Sequence, residues 1–228
     1  MTMTPVVQLN GVSKSFGTAT DATVVLDEVH LAIRPGDKAS LVGPSGSGKS
    51  TLLSLIAGLL RPDSGTVEID GVAMSELDDR ARARLRADRI GIALQSDNLI
   101  PFLTARENVE LALSFGAGTA GSRSRAAVRG RAMELLDRLG VGDRAGHRPR
   151  QLSGGEAQRV ALAVSMANEP DLLLADEVVA QLDGETAARV VDAVLDAEFA
   201  VLFVTHDLAL ADLVELRYAL DDGAVVTR

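Results

Sequence analysis

A chain of 228 residues with 46% hydrophobic content can bury the core of one large domain, or of a core with a lobe, which excludes the disordered and low-complexity classes. Its formal net charge of −9 argues against a general nucleic-acid or anionic-lipid surface; the arginines clustered at residues 80–89 and 123–131 are expected on solvated helix faces. The absence of cysteine excludes disulfides and cysteine-ligated metal and is compatible with the cytosol. The first ten residues lack the charged start and long apolar core of a signal peptide, and no run approaches the roughly 18 apolar residues of a membrane span. Membrane contact is therefore expected only through a partner.

In chain order, residues 6–12 and 24–33 alternate or cluster β-branched side chains, and residues 66–71 read as a short strand ending in a turn. These predict an antiparallel β edge. The run Ala39-Ser40-Leu41-Val42 and residues 90–94, 172–175 and 201–204 are short, continuous and apolar, as strands buried on both faces of a parallel sheet are. Residues 104–115, 125–139, 155–167, 185–197 and 208–216 have helical spacing, and residues 218–226 close the chain as a hairpin. The predicted fold is α/β: a mostly parallel core sheet over residues 1–98 and 151–228, with an antiparallel edge and a helical lobe inserted at about residues 99–150. Residues 73–89 are a further candidate for that lobe.

The octet Gly43-Pro44-Ser45-Gly46-Ser47-Gly48-Lys49-Ser50 satisfies G-x-x-x-x-G-K-[ST] and stands between a predicted strand and the helical pattern that starts at Thr51. Strand, loop and helix is the context the motif requires. Its glycines let successive backbone N–H groups converge on phosphate oxygens, and the helix N-terminus adds its dipole. Lys49 is placed to reach the β- and γ-phosphates of a nucleotide, and the Ser50 hydroxyl to bind Mg²⁺. Far along the chain, Leu152-Ser153-Gly154-Gly155-Glu156 reads as a second anion cradle: Ser153 caps a helix, and the Ser153 hydroxyl with the N–H groups of Ser153, Gly154 and Gly155 is expected to face an anion. Leu172-Leu173-Leu174-Ala175-Asp176-Glu177 ends a buried strand on two carboxylates, at the edge of an open α/β sheet where ligands bind.

The stretch Leu152-Ser153-Gly154-Gly155-Glu156-Ala157-Gln158-Arg159-Val160-Ala161-Leu162-Ala163 is similar to the signature of ATP-binding cassette (ABC) ATPases, the nucleotide-binding subunits of ABC transporters. Other family motifs stand in order along essentially the whole chain. The resemblance implies that Phe16, in Val-Ser-Lys-Ser-Phe-Gly, stacks on adenine, and that Gln95, ending Ile-Gly-Ile-Ala-Leu-Gln, touches Mg²⁺ and the attacking water. Asp176 then holds Mg²⁺, Glu177 is the general base, and His206, in Val-Thr-His-Asp, contacts the γ-phosphate. Leu182-Asp183 resembles the loop that crosses to a second subunit.

In such a family two copies dock head to tail, so that Ser153, Gly154, Gly155 and Glu156 of one close on the nucleotide held by Gly43 to Thr51 of the other. The implied partners are a second ATPase subunit and an integral membrane permease, with the chain on the inner face of the cell membrane. Residues 90–109 resemble most the branch serving lipoprotein release, macrolide export and cell division. The chain departs from the family at two places: Val178, Val179, Ala180 and Gln181 stand where most relatives have Pro-Thr and a small residue, and Leu94 replaces the aromatic that often precedes the glutamine at 95. The first departure motivates an alternative, an ATP-gated assembly or signalling module of low turnover, which weak stimulation of hydrolysis by the permease would favour. A soluble ABC protein acting on nucleic acid is disfavoured by the acidic balance.

Overall fold

The computed structural model describes residues 4–18, 21–93, 99–115, 124–179 and 182–228. In chain order the elements are strands β1 (Val7–Phe16), β2 (Thr23–Ile33) and β3 (Lys38–Val42), helix α1 (Lys49–Ile56), strands β4 (Ser64–Ile69) and β5 (Val72–Ala73), and helix α2 (Asp79–Arg89). Next come β6 (Ile90–Ala93), α3 (Ala105–Phe115), α4 (Arg125–Arg138), α5 (Gly154–Met166), β7 (Leu172–Asp176) and α6 (Gly184–Leu195). The chain ends with β8 (Ala200–Val204), α7 (Leu208–Ala211), β9 (Leu216–Asp221) and β10 (Ala224–Thr227). Two compact units result, one of Met1–Arg86 with Glu198–Arg228, the other of Ala87–Ala197.

In the first unit, β2, β1, β4 and β5 form an antiparallel sheet, as the alternating residues near the start of the chain predict. Val7, Leu9, Val12, Leu26, Ile33, Val67 and Ile69 bury its inner face. The continuous apolar strand β3 lies parallel to both β8 and β9, and β10 returns antiparallel along β9. Ala39, Leu41 and Val201 to Val204 are all but inaccessible, as strands covered on both faces should be. Tyr218 is packed here too; its hydroxyl donates to the carbonyl of Ala32 at 3.0 Å, and burial pushes the phenol pKa up. The helix predicted over residues 208–216 is cut to four residues, because Leu216 pairs with Ala39 and opens β9. Arg217 then secures the shortened end, donating to the Asp212 carboxylate at 2.6 Å and to the Asp212 carbonyl at 3.1 Å.

Helix α2 has no buried residue, in keeping with the solvated face expected of its alternating charges. Its Arg86 nevertheless reaches α1, donating to the carbonyls of Ala57 and Gly58, which close that helix.

In the second unit β6 and β7 pair in parallel, Ile90 opposite Leu172 and Ala93 opposite Ala175. Helix α5 approaches β6 so closely that a Cβ on Gly91 would collide with the carbonyl oxygen of Ser165. Val109, Leu113, Ala132, Leu136, Val160, Leu162 and Met166 build the interior among α3, α4 and α5. Asn108, 4% exposed, accepts from Ile100 N–H at 2.7 Å and donates to the Thr104 carbonyl at 2.9 Å, fastening the loop before α3 to the helix. Among the described residues no helix is long and apolar enough to cross a membrane.

Candidate nucleotide site

The phosphate loop joins β3 to α1, as the motif requires. Two glycines have the left-handed backbone that bends it, Gly46 at φ 82° and Gly48, the N-cap of α1, at φ 103°. No side chain caps α1, so its first N–H groups are left to an external acceptor. A Cβ on Gly43 would stand 2.5 Å from the Leu220 carbonyl oxygen and 2.9 Å from Ser47 Oγ, so only glycine fits. Lys49 is folded back over the loop, donating to the carbonyls of Gly43 at 2.7 Å and Pro44 at 2.8 Å. The Ser47 hydroxyl is buried without a hydrogen-bond partner, a polar atom placed to serve a ligand. These features fit a phosphate chain. Mg²⁺ is normally held by one or two protein oxygens together with substrate phosphates, and the exposed Ser50 hydroxyl and the Asp176 carboxylate are donors of that hard-oxygen kind.

Phe16 ends β1 and is 45% exposed, with the Lys14 ammonium 5.6 Å from its ring centroid. Core packing is thereby excluded for this aromatic. At the end of β8, Thr205 is buried and accepts from the Asp207 N–H at 3.0 Å, while the adjoining His206 is exposed. Asp207 caps α7 through Ala209 N–H at 2.8 Å.

In the second unit, Asp176 is the last residue of β7, and Glu177 follows with φ 53°. A left-handed backbone costs a non-glycine residue on the order of 1–3 kcal/mol, and Glu177 shares it with Glu28, Asp70, Glu169 and Asp222. Val178 and Val179, at the departure from the family loop, are buried, which explains why apolar residues stand there. Asp183 caps α6 by accepting from Thr186 N–H at 3.0 Å, and such hydrogen bonds hold its pKa low. Leu94, Gln95, Ala180 and Gln181 lie outside the described residues.

Helix α5 begins in a reciprocal cap: Ser153 Oγ accepts from Glu156 N–H at 3.2 Å, and the Glu156 carboxylate accepts from Ser153 N–H at 2.8 Å. This corrects the expectation that Ser153 N–H faces an anion. Of the first four N–H groups of the helix start, the cap takes those of Ser153 and Glu156, and helix geometry leaves those of Gly154 and Gly155. The other carboxylate oxygen of Glu156 accepts from Arg144 Nε at 2.8 Å. Glu156, expected among the nucleotide contacts, thus has one oxygen in the cap and the other on Arg144. Sequence reasoning overlooked this, although the Ser-x-x-Glu spacing carried the signal. Nothing local pointed to Arg144.

The Arg144 guanidinium and the Ser153 N–H hold the Glu156 carboxyl down to about 2 from its ordinary 4.5. The folded pKa lies below the unfolded one, so the stabilisation is complete above pH 4.5 and is lost as pH falls toward 2. The difference in unfolding midpoint between the protein and Glu156→Gln is therefore expected to shrink across that window. Arg144→Gln should move the loss to higher pH, measured by thermal melts at graded pH.

A glycine-built phosphate loop between a buried parallel strand and a helix, with a parallel strand ending on two acids, defines a P-loop nucleoside triphosphatase. The family model described as ABC transporter matches residues 26–180. The chain is 43% identical over 221 residues to the lipoprotein-releasing system ATP-binding protein LolD 1 of Rhodopirellula baltica, covering 95% of this chain and 94% of that protein. It is 38% identical to the macrolide export ATP-binding/permease protein MacB of Marinobacter nauticus, covering 99% of this chain but 35% of the longer protein. Among solved structures, the post-hydrolysis dimer of the ATP-binding cassette MJ0796 bound to ADP and Pi superposes with a TM-score of 0.91 at 39% identity, covering 97% of each chain. The chain belongs to the ABC transporter family, in the lipoprotein-release and macrolide-export branch. It is an ABC-type ATPase that uses ATP with Mg²⁺.

Proposed function

We propose that this chain is the ATPase motor of an exporting or extracting complex, pairing with a second copy and driving a separate membrane permease. The observation that carries this reading is the α5 start, where Gly154 and the capped Ser153 lie exposed, remote in sequence from a complete phosphate loop. Two half-sites in one chain make two whole ones in a symmetric, head-to-tail pair. The likeness to the lipoprotein-releasing LolD 1 and the macrolide-export MacB supports an export or extraction role whose cargo the permease selects, and a position on the inner face of the cell membrane, held there by the permease. Residues 99–150 are then the helical subdomain that receives the permease. They contribute to a cleft of about 760 Å³ lined by Phe102, Thr104, Arg148, Arg150 and Gln151 among others.

Within this reading Lys49 and the loop N–H groups hold the phosphates, Asp176 and Ser50 hold Mg²⁺, and Phe16 carries the adenine. Bound Mg²⁺ supplies charge neutralisation on the phosphates. The Glu177 carboxylate takes the proton of the attacking water, His206 and Gln95 contact the γ-phosphate and the water, and Gly154 and Gly155 of the second copy complete the enclosure. ATP thereby favours the closed pair, since only that state makes both sets of contacts.

Hydrolysis in proteoliposomes with the permease tests the motor. Several-fold stimulation is expected, and its absence would instead favour the low-turnover assembly module. Phe16→Ala should weaken ATP binding by about 1–3 kcal/mol, the usual worth of a base stacked on an aromatic ring. Titration of a fluorescent ATP analogue measures it.

A further inference from the structure

Gln158 is a buried glutamine on a helix whose other buried residues are Val160, Ala161, Leu162, Ala163 and Met166. Its Nε2 donates to the main-chain carbonyl of Glu177 at 2.6 Å, while its Oε1 is buried with no hydrogen-bond partner. An apolar side chain would avoid that unmet oxygen, so the hydrogen bond is what the position gains from an amide. Its acceptor is Glu177, immediately after Asp176, whose backbone is left-handed at φ 53°. Fixing that carbonyl fixes the peptide from which the Glu177 side chain departs.

We infer that Gln158 is the positioning residue of Glu177, and that through it the base of one nucleotide site is tied to the helix that completes the other site. The inference rests on the proposed roles of Glu177 and of the α5 start. In a head-to-tail pair, Glu177 serves the nucleotide bound by its own chain, and Gly154 and Gly155 serve the nucleotide of the second copy. Gln158 sits on α5 one turn beyond those glycines. Seating the α5 start at one site therefore bears directly on the carbonyl that sets the base at the other.

Gln158→Met keeps the length of the side chain and removes both the donor and the unmet oxygen, so the fold should survive. Expected results are a fall in kcat of about 10- to 100-fold, the scale of a misplaced reacting group, with ATP affinity within about twofold of the parent. The thermal midpoint should not fall. Should Gln158→Met not fold, Gln158→Glu, whose carboxylate cannot donate, replaces it. A mixed-chain assay separates positioning from a general effect on α5: a limiting chain with Glu177 intact is combined with an excess of Glu177→Gln chain, which contributes only its α5 start. The loss should follow Gln158→Met in the limiting chain and be much smaller when the change is in the excess chain. The reverse pattern, or an unchanged kcat, overturns the inference. Normal turnover by Glu177→Gln alone would instead overturn the role of the base, and would do so without reference to Gln158.

Discussion

Glu177→Gln is expected to cut phosphate release by about 10²–10⁴-fold, the range that positioned general-base catalysis supplies, while ATP still binds. The amide keeps the shape of the side chain but cannot take a proton from water. The loop around Lys49, Gly46 and Gly48 is untouched, so the phosphates keep their donors. With hydrolysis stopped and the enclosing contacts intact, the nucleotide-bound pair should accumulate, visible as a dimer in size-exclusion chromatography with Mg-ATP. A variant that turned over at the parent rate would remove Glu177 from the role of base.

Ser153→Arg should act at the other half of the site. It deletes the hydroxyl that caps α5, a loss of about 0.5–2 kcal/mol, and adds a long cation beside Gly154. The buried face of α5, from Val160 to Met166, holds the helix in place regardless. The contacts that shape the phosphate loop run from Lys49 to the carbonyls of Gly43 and Pro44 and from Gly43 to Leu220, so the single chain should bind ATP nearly as before. Closure and hydrolysis should both be lost. Equilibrium binding to the monomer, set beside turnover, decides this: reduced monomer affinity would mean that Ser153 acts within its own chain.

Much of the fold was legible because its signals are local. Glycines that permit Gly46 and Gly48 their left-handed turns, and apolar runs at β3, β7 and β8, are written in consecutive residues. The apolar spacing of the last helix continues through Leu216 and so reads as one longer helix, whereas the pairing of Leu216 with Ala39 joins residues far apart in the chain. The site divides in the same way. The phosphate loop and the two acids follow from short motifs, and so in principle does the cap between Ser153 and Glu156. The hold of Arg144 on Glu156, across twelve residues, and of Gln158 on Glu177, across nineteen, needs tertiary structure to be seen. Likewise, no local pattern says that Val178 and Val179 turn inward.

The hydrogen bonds from Lys49 to the carbonyls of Gly43 and Pro44 bear on how fast this protein can load its fuel. They brace the loop from within, so its curvature does not depend on an arriving nucleotide. If Lys49 holds the phosphates as proposed, loading would exchange its two carbonyl acceptors for phosphate oxygens, with little chain entropy to lose. The association rate should accordingly be governed by diffusion and charge, leaving the slow steps of the proposed cycle to the meeting and parting of the paired copies.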